Sequence, residues 1–349
     1  RQFPLATWRS AANWLHGGVR DPAWVIDHID QDVPMLIEQI RTRVLPKRGI
    51  VAAPDEILIT LGSQNALYLL TRLLLSSTTR IGVENPCFRE AINTFLLADA
   101  EVVPHPVDEE GLVLNERPCD YYYVTPGHQV PTGVTMSSAR RRQLLEHAAR
   151  HDAVIIEDDY DSESNFTLNP LPALKASDRS GRVVYVSSLS KALSPGLRLG
   201  FMVADPDLID EARALRRLVY RHPPTNIQYQ MAHFLAQGHY ETHLRRYHYD
   251  SAQRWERLHA ALQRYLPSCR ALAGSEHANA FWLQTPAQIN TQQLTWRAAH
   301  AGVLIEPGAR HFLSAAPPDN YFRMGFHAIN PDAIAQGVEV LRGQLEQMG

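Results

Sequence analysis

A lysine closes an apolar run in VVYVSSLSKALSPGLRLGF, residues 183–201. An ammonium group at the mouth of a core strand is costly to desolvate unless something uses it. A lysine buried near other cations has its basicity lowered and becomes a nucleophile toward carbonyl carbon. Ser188 and Ser190 flank Lys191, and Arg198 follows seven residues later as a charged donor able to reach the same oxyanion. Two more segments end strands in reactive residues. TLGSQNAL (60–67) joins a strand to a helix through Gly62, Ser63 and Gln64, and the free amides and positive dipole of a helix start bind phosphate. The same turn also reads as an ordinary cap. IIEDDYDSE (155–163) sets Glu157, Asp158, Asp159 and Tyr160 at a strand end. One acid there suits a protonated ring nitrogen. A solvated acidic loop and a metal site are the other readings, although no histidine lies at metal-ligand spacing.

Short apolar runs alternating with helical patterns must carry these residues, the signature of βαβ units around a mainly parallel sheet. Residues 56–62, 121–127, 153–159, 182–188 and 197–204 read as strands, and 63–76 and 137–151 as helices with serine near their starts. Arg140, Arg141 and Arg142 read as a solvated helix face, with Leu144, Leu145 and Ala148 supplying the buried side. Beyond about residue 240 the pattern changes to one long amphipathic helix over 239–266 and then a smaller α+β unit. The expected division is an N-terminal segment, 1–45, packing with the small domain or a partner subunit. A large cofactor-binding domain, 46–240, and a small C-terminal domain, 241–349, follow it. In open α/β sheets ligand sites gather at the strand ends where these motifs recur.

Composition narrows the function classes. The 349 residues are 45% hydrophobic and 20% charged, enough for a substantial core, and the formal net charge of −3 gives no global attraction to nucleic acid or an anionic membrane. Cys87, Cys119 and Cys269 are scattered, in no CxxC pattern, and suggest neither a disulfide framework nor a zinc site. A reducing cytoplasm is expected, with no membrane span and no leader. The sequence begins at Arg1 without a methionine.

A phosphate-binding helix start, a strand-end acid, a strand-end lysine and a following arginine together suit one small molecule. An aldehyde bearing a phosphate and a ring nitrogen that needs an acidic partner is pyridoxal 5'-phosphate. Taken in order, GSQ, ENPCF, TPGHQVPTG, EDDYDSE, SLSKALSPGLRLGF and YFRMGF resemble fold-type I, class I/II aminotransferases over nearly the whole chain. TPGHQVPTG, RRRQLLEHA and EDDYDSE more narrowly resemble the aminotransferase-like domain of MocR-type regulators in the GntR family. The resemblance implies an α/β fold of the pyridoxal-phosphate transferase type I: a mainly parallel central sheet flanked by helices, plus a smaller α+β domain.

By that resemblance Lys191 forms the internal aldimine, Asp158 pairs with the pyridine nitrogen, and Tyr160 hydrogen-bonds the ring hydroxyl oxygen. Phe88 stacks on the ring. Ser63, Gln64, Ser188 and Arg198 hold the phosphate. Arg323 grips the carboxylate of an amino-acid substrate or effector, with His128 a further residue on that side. Read locally, Phe88 is equally a core residue and Arg323 a surface arginine. Two positions depart from the family pattern. Val130 stands where an asparagine usually bonds the ring oxygen, with His128 and Gln129 before it. His28 and Leu36-Ile37 stand where a Tyr, Gly, Leu-Arg pattern usually carries a cross-subunit phosphate contact.

Two function classes follow. The preferred one is the effector-sensing domain of a transcription regulator, binding a small amino acid or amino sulfonate such as GABA or taurine, homodimeric, and meeting DNA only through an upstream winged helix outside this chain. The alternative is a free-standing aminotransferase passing an amino group to a 2-oxo acid. Lysine, aspartate and arginine suffice in principle for either, so the fold and cofactor leave the choice open.

Overall fold

The computed structural model describes residues 3–17, 23–164, 170–271 and 279–348. Among them the strands β1 (Ile57–Thr60), β2 (Arg80–Asn85), β3 (Glu101–Asp108), β4 (Gly111–Leu112), β5 (Tyr121–Val124), β6 (Val154–Asp159), β7 (Val183–Ser188) and β8 (Gly200–Val203) build one sheet. Its order is β1-β8-β7-β6-β5-β2-β3-β4. The centre, β7-β6-β5-β2-β3, is parallel, and β8 runs antiparallel between β7 and β1. Parallel neighbours need crossovers, which helices supply. The first helices are α1 (Leu5–Gly17), α2 (Pro34–Gln39), α3 (Ser63–Leu74), α4 (Arg89–Leu96) and α5 (Ser138–Arg150). They are followed by α6 (Leu174–Ser177), α7 (Pro206–Val219) and α8 (Thr225–Ala236). The expected serine cap at α5 is present, with Ser137 Oγ accepting from the Arg140 amide.

Three strands are shorter than the apolar runs suggest. β1 stops at Thr60, β5 at Val124, and β8 begins only at Gly200. Two strands, β2 and β3, lie outside the set expected from the sequence. RIGVEN hides a strand behind a glycine and the buried Glu84, and EVVPHPVD hides one behind two prolines. Those prolines fall on exposed positions of an alternating pattern, with His105 buried between them. Arg141 corrects the expectation of a solvated arginine face. It is buried, and its guanidinium donates to the carbonyls of Met136, Pro126 and Pro172 at 2.7–2.9 Å. Three carbonyls offset its desolvation.

Apolar clusters cover both faces of the sheet, and α1 and α2 pack with α8 over β1 and β8. A second core lies between α10 (Thr291–His300), α11 (Ile334–Glu346) and a four-stranded sheet. That sheet, in the order β11-β12-β10-β9, is made of β9 (Arg270–Ala271), β10 (Ala280–Gln284), β11 (Glu306–Pro307) and β12 (Tyr321–Gly325). The long helix α9 (His239–Tyr265) serves both. Tyr240, Leu244 and Tyr247 join the first core, while Leu258, Ala261 and Leu262 join the second.

A buried ion pair ties the N-terminal segment to the sheet. Arg216, with 0% exposure, donates to Asp32 Oδ1 at 2.6 Å and to the Ile59 carbonyl, and Asp32 Oδ2 accepts from the Ile59 amide. Asp32→Ala strands the guanidinium in the core, so unfolding in urea should show a loss of about 3–5 kcal/mol. A loss below about 1 kcal/mol would mean that the pair is not desolvated as described.

Candidate functional site

The sheet topology gathers the chemistry at one edge. Thr60 pairs with Gly200 and Gly200 with Ser188, so the end of β1, the start of β8 and the end of β7 are neighbours. Parallel pairing adds the end of β6, with Asp158 opposite Val186. Because β8 is antiparallel, the residue just before it, Arg198, emerges at the same edge as the Gly62-Ser63 turn. The approach is close: a Cβ on Gly200 would lie 2.7 Å from the Gly62 Cα, and one on Gly62 3.0 Å from Arg198 Nη2. Gly62 has φ +85°, which favours glycine, and Arg198 itself is left-handed at φ +50°. That turn aims the exposed guanidinium across the start of α3, where it donates to the Leu61 carbonyl at 2.9 Å.

A cleft of about 570 Å³ opens there. Ser63, Gln64, Phe88, Asp158, Tyr160, Ser188, Lys191, Arg198 and Arg323 all line it, and so does Val130. Phe88 lines the cleft while packing on the core. Arg323 arrives from β12 in the smaller sheet and is no free surface arginine. His128 is not among the lining residues. It is buried behind Tyr160, whose hydroxyl donates to its carbonyl at 3.2 Å, and its Nδ1 lies 4.0 Å from Asp161. Burial pushes its imidazole down in basicity. His28, Leu36 and Ile37 do not line the cleft either, the last two being core residues of α2.

The two adjacent aspartates are sharply distinguished. Asp159 is a structural anion, taking Arg48 Nε at 2.7 Å and the Tyr185 hydroxyl at 2.8 Å. Asp158 is 2% exposed; its Oδ2 accepts from the Tyr123 hydroxyl at 2.8 Å, and its Oδ1 has no protein partner. Burial pushes Asp158 up to about 7 against the Tyr123 hydrogen bond, with Asp159 adding to the rise and Lys191 opposing it. A buried carboxylate with one bare oxygen at the floor of a cleft is a receptor for a cation or a donated proton. Glu157 plays a different part, accepting from the Leu174 and Lys175 amides at the start of α6. Among the described residues no cluster of metal-ligating side chains occurs.

Lys191 Nζ lies 3.6 Å from Asp161 Oδ1 and 3.9 Å above the Tyr160 ring centre. Asn279 donates to the Tyr160 hydroxyl at 3.0 Å and also contacts Asp161. Tyr123, Asp161, Asn279, Glu306, Arg310 and His311 are site residues that the sequence reading did not single out. Tyr123 could have been noticed as the polar tip of a strand end. Asp161, Asn279 and Glu306 meet Lys191, Tyr160 and Arg323 only through the tertiary fold, and Arg310 and His311 lie within five residues of Glu306.

The same architecture is found in solved aminotransferases. A kynurenine aminotransferase of Pyrococcus horikoshii superposes with a TM-score of 0.91 at 26% identity, over 99% of this chain and 88% of that one. LysN, an α-aminoadipate aminotransferase of Thermus thermophilus, gives 0.87 at 26% identity over 99% and 89%. Residues 30–341 match aminotransferase class I and II. The chain belongs to that family, whose members depend on pyridoxal 5'-phosphate. Its curated relatives include transcription regulators. The HTH-type transcriptional regulator TauR of Rhodobacter capsulatus is 38% identical over 96% of this chain and 70% of its own length. The probable rhizopine catabolism regulatory protein MocR of Rhizobium meliloti is 33% identical over 98% and 70%.

The residues present fit this cofactor. The bare Asp158 oxygen suits its ring N–H, the Gly62-Ser63 helix start with Arg198 suits its phosphate, and the Lys191 amine suits its aldehyde. A consequence follows for the protein stripped of cofactor. With a folded value near 7 and an unfolded one near 4, Asp158 binds more protons when folded, so its contribution to stability falls as pH rises through that window. Glu84 and Glu157, also pushed up to about 7 by burial, act in the same direction. Asp158→Asn should therefore gain on the unsubstituted stripped protein by at least about 1 kcal/mol between roughly pH 5 and pH 8 in urea unfolding. Parallel profiles for the two would show that Asp158 is ionised throughout.

Proposed function

We propose that this chain is the amine-sensing domain of a MocR-type transcription regulator, and that a small amino compound with an acid group is its effector. The observation that carries the reading is the meeting, in one cleft, of the Lys191 amine, the half-partnered Asp158 carboxylate and the Arg323 guanidinium. Relatives of this chain include the transcription regulators TauR and MocR, and taurine and GABA, each an amine with one acid group, are the first effectors to test.

In this reading Asp158 holds the ring nitrogen of pyridoxal phosphate as its counter-charge. Ser63, Gln64, Ser188 and Arg198 hold the phosphate, Phe88 packs on the ring, and Tyr160, itself held by Asn279, faces the ring oxygen. The cofactor contributes an aldehyde that condenses reversibly with amines. Lys191 would be the resident amine at that aldehyde and an effector amine its competitor, with Asp161 Oδ1 3.6 Å from the Lys191 amine to balance its charge when free. Arg323 sets which amines are accepted, by gripping the acid end. Residues 46–240 form the cofactor-binding domain and 241–349 the smaller one. The protein works in the cytoplasm as a homodimer and reaches DNA only through a winged helix outside this chain. A sensor needs a long-lived occupied state that two conformations bind differently, rather than turnover.

The purified protein should be yellow, and Lys191→Ala should lose that chromophore while keeping its far-UV spectrum. Arg323→Ala should keep the chromophore and weaken the spectral response to the effector by at least about tenfold. Taurine or GABA mixed with a 2-oxo acid should shift the spectrum with negligible product over many cofactor equivalents. Sustained, rapid product formation would overturn the sensor reading in favour of an aminotransferase.

A further inference from the structure

The acid-gripping arginine is already engaged by a carboxylate of this chain. Glu306 and Arg323 sit directly opposite each other on β11 and β12, and both line the cleft. Arg323 Nη1 reaches Glu306 Oε2 at 3.4 Å through a single end-on contact, not the two parallel bonds of a forked pair. The other Glu306 oxygen faces different neighbours. Oε1 lies 3.3 Å from His311 Nε2 and 3.8 Å from Arg310 Nη1. His311 is itself fixed, since its Nδ1 donates to the Cys87 carbonyl at 2.9 Å and the Cys87 amide donates back to the His311 carbonyl at 2.9 Å. Its ring thus stands as a rigid support behind Glu306.

Resting on the amine-sensing reading, we infer that Glu306 is an internal stand-in for the effector's acid group, occupying Arg323 until that group displaces it. Its two oxygens divide the work. The Oε2 contact with Arg323 is a single long hydrogen bond that can be given up, while Oε1 stays 3.8 Å from Arg310 Nη1, so the displaced carboxylate is not left without a cationic neighbour. An incoming sulfonate or carboxylate replaces one long contact by a forked, charge-assisted pair and wins the exchange. A neutral end group offers Arg323 nothing better than Glu306 already does. Glu306 therefore weighs against acid-bearing ligands alone, and simple amines and amino alcohols, which do not displace it, bind without using Arg323. Glu306 stays ionised for this role: the His311 imidazole, then the Arg323 and Arg310 guanidiniums, hold its carboxyl down at about 2.

The test uses the cofactor-loaded protein and its Glu306→Gln variant, which keeps the side-chain shape and removes the charge. Taurine and ethanolamine share a two-carbon amine and differ in the acid group, and both are titrated by absorbance. Glu306→Gln should bind taurine roughly five- to tenfold tighter, with ethanolamine changed by less than about twofold. Adding Arg323→Gln to that variant should cancel the gain. Methanesulfonate, which carries the acid group and no amine, is titrated by calorimetry and should show the same tightening. Unchanged or weaker taurine and methanesulfonate binding in Glu306→Gln would overturn the inference, as would an equal gain for ethanolamine. A protein whose spectrum answers to neither amine would instead sink the sensing reading, while the methanesulfonate titration would still decide the role of Glu306.

Discussion

The site is organised around one electrostatic debt, the carboxylate of Asp158 buried at the carboxyl end of β6 with an oxygen that no protein group satisfies. Such a group is tolerable only if a cation or a donated proton meets it. The neighbourhood keeps that demand from being met from within. Arg48 and Tyr185 are committed to Asp159, and Tyr123 takes only one Asp158 oxygen. Ionisation of Asp158 is thus left for a ligand to complete, which makes ligand binding and the stability of this part of the sheet two aspects of one equilibrium.

The antiparallel β8 is the second organising feature. A strand inserted in the opposite sense between β7 and β1 returns the chain to the ligand edge, so that Arg198 reaches the start of α3. Two glycines, Gly62 and Gly200, make that approach sterically feasible. The position of the Arg198 guanidinium is therefore as much a matter of backbone clearance as of charge.

Much of this was legible in the sequence because the chemistry sits within single strand-to-helix or strand-to-loop transitions. The runs ending in Asp158, Ser188 and Lys191 announce themselves by a stretch of apolar residues that stops at polar ones. The turn at Gly62, the resemblance to class I/II aminotransferases and the α/β architecture were readable in the same way. What stayed hidden depends on partners remote in the chain. Asn279 meets Tyr160 from 119 positions away, and Glu306 meets Arg323 only through the β11-β12 register. Arg141 misled because a run of three arginines looks the same whether its middle member faces water or three carbonyls. β2 and β3 were concealed by residues that usually interrupt strands, a glycine and a buried acid in one and two prolines in the other.

Asp158 belongs to the large sheet and Lys191 to the turn that follows its strand β7, whereas Arg323 and Glu306 belong to the small sheet. A molecule held by Lys191 chemistry at one end and by Arg323 at the other consequently spans a seam between two separately packed bodies. α9 is common to both cores and limits how far those bodies can part. Under the proposed amine-sensing function the cleft acts as a ruler. It measures the separation between an amine and an acid on the same molecule, and a spacer one methylene too short or too long is felt as strain across the seam rather than as a missing contact.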